Sequence, residues 1–114
     1  VALTTNSALI TALSNDIGFE FVFSSQIAVL GKRGDVLIGM TTSASENILE
    51  ALKVAKEKGL ITAVICGDKS PDFPETDYTL RMHGQETAAV QNDAISFLHY
   101  LAYNIKRQLN NASR

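Results

Sequence analysis

Residues 41–45 read Thr-Thr-Ser-Ala-Ser, inside the stretch GDVLIGMTTSASENILEALKVAKEKG that spans positions 34–59. An apolar run ends in the hydroxyls of Thr41, Thr42, Ser43 and Ser45, and a helical pattern starts at once. Two chemistries fit this arrangement. Ser43-x-x-Glu46 has the form of a capping box, in which the Ser43 hydroxyl accepts from the Glu46 amide and Glu46 reaches back to the Ser43 amide. One serine suffices for that, however. Four hydroxyls around the free amides and positive dipole end of a helix also make a cradle for an anion such as a phosphate. Glu46 opposes the second reading, because a carboxylate in the first turn competes with an anion unless it points away.

A second constellation lies near the C-terminus, where Gln91 and His99 sit eight residues apart. On a helix that spacing turns ~80° and rises ~12 Å, so the two share a flank but stand far apart for a single metal. Taken by itself, His99 reads as a histidine at the edge of an apolar seam, satisfied by a carbonyl. His83, beside a turn glycine, reads as a surface residue. Cys66, at the end of an apolar run, reads as packing. Asp68, Asp72 and Asp77 are too irregularly spaced for a calcium loop.

Positioning these residues takes an alternation of strands and helices. The sequence predicts a short strand over Val1–Thr5 and a short helix over Ser7–Leu13, ended by Ser14-Asn15-Asp16 and Gly18. Apolar residues at 19, 22, 23, 27 and 30 predict one helix over Phe19–Leu30, stopped by Gly31. Asp35–Met40 and Leu60–Cys66 read as strands buried on both faces. Glu46–Lys58 is the clearest helix, with acids early, lysines late and Gly59 after its end. Gly67–Asp77, with Pro71 and Pro74, is a loop, and Tyr78–Met82 a more exposed strand. A last helix runs from about Glu86 to Leu109 with a seam at Ile95, Leu98, Ala102, Ile105 and Leu109, suited either to the core or to a subunit contact that Tyr100 and Tyr103 would extend. Such βαβ patterning implies a parallel sheet with helices on both faces and a ligand site at the carboxyl ends of the strands.

Composition narrows the function further. At 114 residues there is room for one domain, and 46% hydrophobic residues allow an ordinary core. A net charge of −2 without a basic block argues against nucleic acid as the partner. The single cysteine provides no disulfide framework, which points to a reducing, cytoplasmic setting. No apolar run reaches the ~20 residues of a membrane span, and no GxGxxG or Walker motif supports a generic flavodoxin-like nucleotide binder. The first residue is not Met and lies inside an apolar stretch, as in the C-terminal part of a longer chain.

Three segments together resemble phosphoheptose isomerases (sedoheptulose 7-phosphate isomerases of the sugar-isomerase, or SIS, domain superfamily). LTTNSALITALSNDIGFEFVFSSQI resembles the stretch that leads into their Ser-Asn-Asp element. GKRGDVLIGMTTSASENILEALKVAKEKG resembles their GDVLLGISTSGNSxNV strand-turn-helix, and AAVQNDAISFLHYLAYNI their closing RIQExHIxxxH helix. The resemblance implies an α/β fold, a flavodoxin-like three-layer sandwich around a parallel sheet, with residues 1–114 as one SIS domain lacking the N-terminal helices and first strand. It implies aldose–ketose isomerisation of sedoheptulose 7-phosphate through an enediol, for heptose and lipopolysaccharide synthesis, in a homotetramer. It places Thr41, Thr42, Ser43 and Ser45 at the phosphate, Asn15 and Asp16 near the sugar, and Gln91 with His99 at the active site and, in some members, at zinc. His99 would transfer the proton; no organic cofactor, nucleic acid or membrane is implied. This sequence departs from the pattern at Ala44, in place of a turn glycine, at Ala88, in place of an Asp, and at Ala94, in place of the first His. The Glu that completes the acid–base pair has no counterpart here. Those departures keep a second function in view, a SIS-domain sugar-phosphate-binding regulator or replication-initiator-associated protein without catalysis.

Overall fold

The computed structural model describes residues 1–84 and 86–113. Its centre is β2 (Ile61–Gly67), flanked by β1 (Val36–Thr41) and β3 (Tyr78–Met82) in a three-stranded parallel sheet of order β1-β2-β3. Side chains alternate across β2 and divide the core in two. Val64 and Cys66 pack with Leu52 and Phe73 on one face, while Ile65 packs with Met82, Val90 and Ala94 on the other. The first face is covered by α3 (Glu46–Glu57), and α3 in turn packs on α2 (Ser24–Leu30) through Ala51, Ala55 and Ile27. The opposite face is covered by α4 (Thr87–Ala112). Burying Leu52 and Val64 completely contributes about 1.5–3 kcal/mol each.

Close approach of α3 depends on Gly39. A Cβ there would stand 3.1 Å from Cγ2 of Ile48, so a side chain would push the helix away from the strand. The loop between β2 and β3 is fixed by Arg81. Its guanidinium donates to the carbonyls of Ser70 at 2.6 Å and Pro71 at 3.3 Å and to the Asp72 carboxylate at 3.0 Å. At the other end of the loop Asp77 accepts from the Thr62 amide at 2.8 Å and pairs with Lys56.

The strand and helix cores fall where periodicity places them, with five differences. Residues 1–5 form a turn and not a strand: the Thr5 hydroxyl and amide both donate to the Ala2 carbonyl. Among the described residues no strand lies alongside to take up their backbone groups, and a β segment without a neighbour leaves those groups to water. The helical pattern over 19–30 divides into a 3-10 turn, Phe19–Phe21, and α2. A first helix, α1 (Ser7–Asp16), runs through Asn15 and Asp16 where the sequence pattern ends it earlier, and it is N-capped by Asn6, whose side chain accepts from the Leu9 amide at 3.0 Å. β1 is not buried on both faces: Val36, Ile38 and Met40 are exposed, because α4 reaches β2 and β3 but stops short of this edge. Finally, α4 packs through Val90, Ala94, Phe97 and Leu98, so Ile95, Ile105 and Leu109 of the proposed seam are exposed in this chain.

Candidate functional site

The carboxyl end of β1 delivers Thr41, which is buried, into the turn that starts α3. Its Oγ1 accepts from the Ser45 amide at 3.0 Å and the Ser43 amide at 3.4 Å, and it donates to Ser45 Oγ at 3.2 Å. Two lone pairs and one proton are thereby all engaged. This arrangement replaces the capping box. The helix begins at Glu46, with Ser45 at the N-cap position and no side-chain cap bond, and Ser43 lies two residues upstream of that cap. Ser43 cannot cap a helix that does not start at it.

The consequence for ligand chemistry is direct. Ser45 receives a hydrogen bond and keeps its own hydroxyl proton free, while the amides of Ala44, Glu46 and Asn47 donate to no group among the described residues. These donors stand at the positive end of α3. Ala44 adopts φ +58°, the left-handed conformation, and so permits the tight reversal that points the turn at its neighbours. Behind the turn, the Ser70 hydroxyl donates to the Thr42 carbonyl at 3.2 Å, linking it to the loop held by Arg81.

Beside the turn lies a cavity of about 410 Å³ between the end of β1 and the start of α4. Thr41, Thr42, Ser45 and Gln91 supply its polar lining, and Met40, Ile65, Val90, Ala94 and Ile95 its apolar walls. The volume suits a small-molecule ligand. Among the described residues no charged side chain lines the cavity, so hydroxyls, amides and the helix dipole would have to supply attraction for an anion. Glu46, the carboxylate that threatened repulsion, does not line the cavity.

Thus four of the candidate residues, Thr41, Thr42, Ser45 and Gln91, share one space. Ser43 adjoins it through its amide bond to Thr41 but is exposed and does not line it. Asn15 and Asp16 lie exposed in the last turn of α1, and His99 lies exposed on α4; none of the three lines this cavity. The walls from Ile65 and Val90 were not legible as site residues, because apolar side chains in a core strand and helix carry no chemical signature. His83 is exposed, with Nδ1 3.1 Å from Asp68 Oδ2. Cys66 packs in the core, where burial pushes its thiol pKa up against the opposing charge of Arg81. For zinc, Gln91 and His99 offer two ligands, and no three His, Cys, Asp or Glu side chains converge among the described residues. A closed zinc site takes four ligands, so these residues do not form one by themselves.

The shape of this α/β unit matches solved phosphoheptose isomerase structures. It superposes on a phosphoheptose isomerase from Neisseria gonorrhoeae with a TM-score of 0.88 and 37% identity, covering 94% of this chain and 61% of that one. Phosphoheptose isomerases are what the chain resembles. A phosphoheptose isomerase structure from Francisella tularensis gives a TM-score of 0.82 at 32% identity, over 89% of this chain and 56% of that one. In sequence, the Synechocystis sp. phosphoheptose isomerase is 39% identical over 111 residues, which are 96% of this chain and 57% of that protein. No protein-family model matches the chain. The chain spans about half the length of the curated phosphoheptose isomerases it matches. The open parallel sheet with helices on both faces is accordingly that of phosphoheptose isomerase structures over the shared part. Among the described residues, no helix is long and apolar enough to cross a membrane.

Proposed function

We propose that this chain carries the phosphate-holding wall of a sugar-phosphate isomerase that interconverts an aldose and a ketose. The observation that carries the reading is the cavity in which Thr41, Thr42, Ser45 and Gln91 meet at the start of α3. The names of its relatives support the same chemistry. The substrate is sedoheptulose 7-phosphate, converted to D-glycero-D-manno-heptose 7-phosphate for lipopolysaccharide heptose, in a cytoplasmic homotetramer. The ester phosphate accepts from the Ser45 hydroxyl and the free turn amides, and Gln91 holds sugar hydroxyls. His99 takes the proton from the carbon beside the carbonyl, the carbonyl oxygen being protonated to give the enediol. It then returns a proton to the neighbouring carbon as the other hydroxyl becomes the carbonyl, a role that needs an imidazole brought to the sugar by the assembled protein. If zinc takes part, Gln91 and His99 are the side chains of this chain that would ligate it.

A specific observation favours a second reading, a sugar-phosphate-binding protein without turnover. The cavity wall carries Ala94 at the position where the resemblance has a histidine, and no Asp or Glu lines the cavity. The test is turnover of sedoheptulose 7-phosphate by the wild type and by His99→Ala, with binding measured in parallel. The isomerase reading expects turnover that falls by roughly 10²–10⁴-fold in His99→Ala. Unchanged turnover in that variant removes His99 from the chemistry. Binding without turnover by the wild type establishes the second reading.

A further inference from the structure

Thr41, Cys66 and Arg81 are register partners across the three strands, so they stand abreast at the carboxyl end of the sheet. From β3 the Arg81 side chain reaches into the loop that follows β2. Its Nη1 donates to the carbonyls of Ser70 at 2.6 Å and Gly67 at 3.5 Å, the two ends of a turn closed by the Ser70 amide on the Gly67 carbonyl at 3.1 Å. Its Nη2 holds the Pro71 carbonyl and the Asp72 carboxylate. None of these loop residues lines the cavity. The loop meets the turn at 41–45 through Ser70, which is buried and donates from Oγ to the Thr42 carbonyl at 3.2 Å.

That bond completes a constraint on one peptide unit. The Thr42 carbonyl and the Ser43 N–H belong to the same planar group, and the Ser43 amide donates to Thr41 Oγ1 at 3.4 Å. Ser70 pins the carbonyl end and Thr41 the amide end, so the plane does not rotate without breaking one of the two bonds. Its orientation sets the direction in which the chain enters Ala44, at φ +58°, and with it the aim of the Ala44, Glu46 and Asn47 amides. We infer that Ser70 and Arg81 are positioning residues for the anion subsite: Arg81 fixes the backbone frame of Ser70, and the Ser70 hydroxyl fixes the peptide plane that aims the turn's donors at a phosphate. The inference rests on the sugar-phosphate reading of the cavity. It gives Arg81 no contact with the ligand, since the guanidinium is engaged by the loop. The net worth of one hydrogen bond limits what such a relay transmits to about threefold to tenfold in affinity.

The experiment titrates the whole protein with inorganic phosphate and with sedoheptulose 7-phosphate, reading affinity by calorimetry and the turn through its amide NMR shifts. Ser70→Ala should move the Ser43, Ala44, Glu46 and Asn47 shifts in the ligand-free protein and weaken both ligands by about threefold to tenfold. Arg81→Lys keeps the charge but loses the planar fork, and should weaken both in the same way. Because Arg81 acts through Ser70, the double variant should bind no more weakly than Ser70→Ala by itself. Should Arg81→Lys unfold, Ser70→Ala decides the matter alone. Ser70→Ala with wild-type affinity for both ligands, or with unmoved turn shifts, overturns the inference whatever it costs in Tm. Additive losses in the double variant also overturn it, since Arg81 then reaches the ligand by another route. Wild-type protein that binds neither ligand fails at an earlier step, and removes the sugar-phosphate reading together with this inference.

Discussion

Thr41 holds Ser45. The buried hydroxyl of Thr41 accepts from the Ser45 amide at 3.0 Å and donates to Ser45 Oγ at 3.2 Å. A side chain at the end of the strand thus shapes the turn that a capping serine inside the turn was expected to shape. Ser45 is left as a donor at the cavity, and Ser43 is left without a structural task for its hydroxyl.

Thr41→Val keeps the volume and removes the oxygen. The Ser45 and Ser43 amides then lose their acceptor, at a cost of about 0.5–1.5 kcal/mol for part-buried hydrogen bonds. Urea unfolding should show that loss for Thr41→Val, whereas Ser43→Ala should stay within about 0.5 kcal/mol of wild type. Equal losses in the two variants would restore the capping box.

Ala44 sits at φ +58°. For an L-residue this conformation costs roughly 1–2 kcal/mol, against roughly 0.5–1 kcal/mol of extra chain entropy for glycine. Ala44→Gly should therefore stabilise the protein by up to about 1 kcal/mol, read as a higher urea midpoint at unchanged m-value.

Ligand contacts at Ser45 and Gln91 are read in affinity. Both side chains are exposed and line the cavity. A hydrogen bond to a charged group contributes about 1.5–3 kcal/mol, and each 1.4 kcal/mol is tenfold in affinity. Ser45→Ala should weaken sedoheptulose 7-phosphate binding by about tenfold or more in calorimetry, with a loss of about 0.5–1.5 kcal/mol in stability from the Thr41 hydroxyl bond it also removes. Gln91→Ala should weaken binding less, as a neutral group facing sugar hydroxyls.

Asp77 supplies an acid-sensitive clasp. The hydrogen bond from Lys56, then that from the Thr62 amide, lowers its pKa from 3.8 to about 2. A carboxyl depressed in the folded state adds stability that is present above its unfolded pKa and is lost as pH falls through the folded one. The window is therefore pH 4 down to 2. Asp77→Asn should flatten the pH dependence of unfolding there while leaving the profile above pH 5 parallel to wild type.

Much of this protein is written in local pattern. β3 runs over Tyr78–Met82 as read, β1 and β2 are displaced by one residue, and α3 by one at its end, because apolar runs between glycines and an amphipathic segment with charged ends carry their own start and stop signals. The hydroxyl cluster stands out for the same reason, whereas Gln91 was singled out only through the resemblance of the closing helix. Tertiary structure decided what depends on neighbours distant in the chain. Residues 1–5 have strand composition and no strand beside them. The apolar residues of 19–30 serve two directions, so a 3-10 turn interrupts the helix. Only the folded turn shows that Thr41, and not Ser43, organises it: its Oγ1 takes the Ser45 and Ser43 amides, while the Glu46 amide assigned to Ser43 has no acceptor among the described residues. Sequence fixes which groups are able to bond and which surfaces are apolar; the packed chain selects the partners, because hydrogen bonds and burial are satisfied between segments and not within them. The whole reading requires a phosphate to seat against Ser45 and its adjoining backbone donors. A bound sugar phosphate found elsewhere on the protein, with this turn still open to water, would undo it.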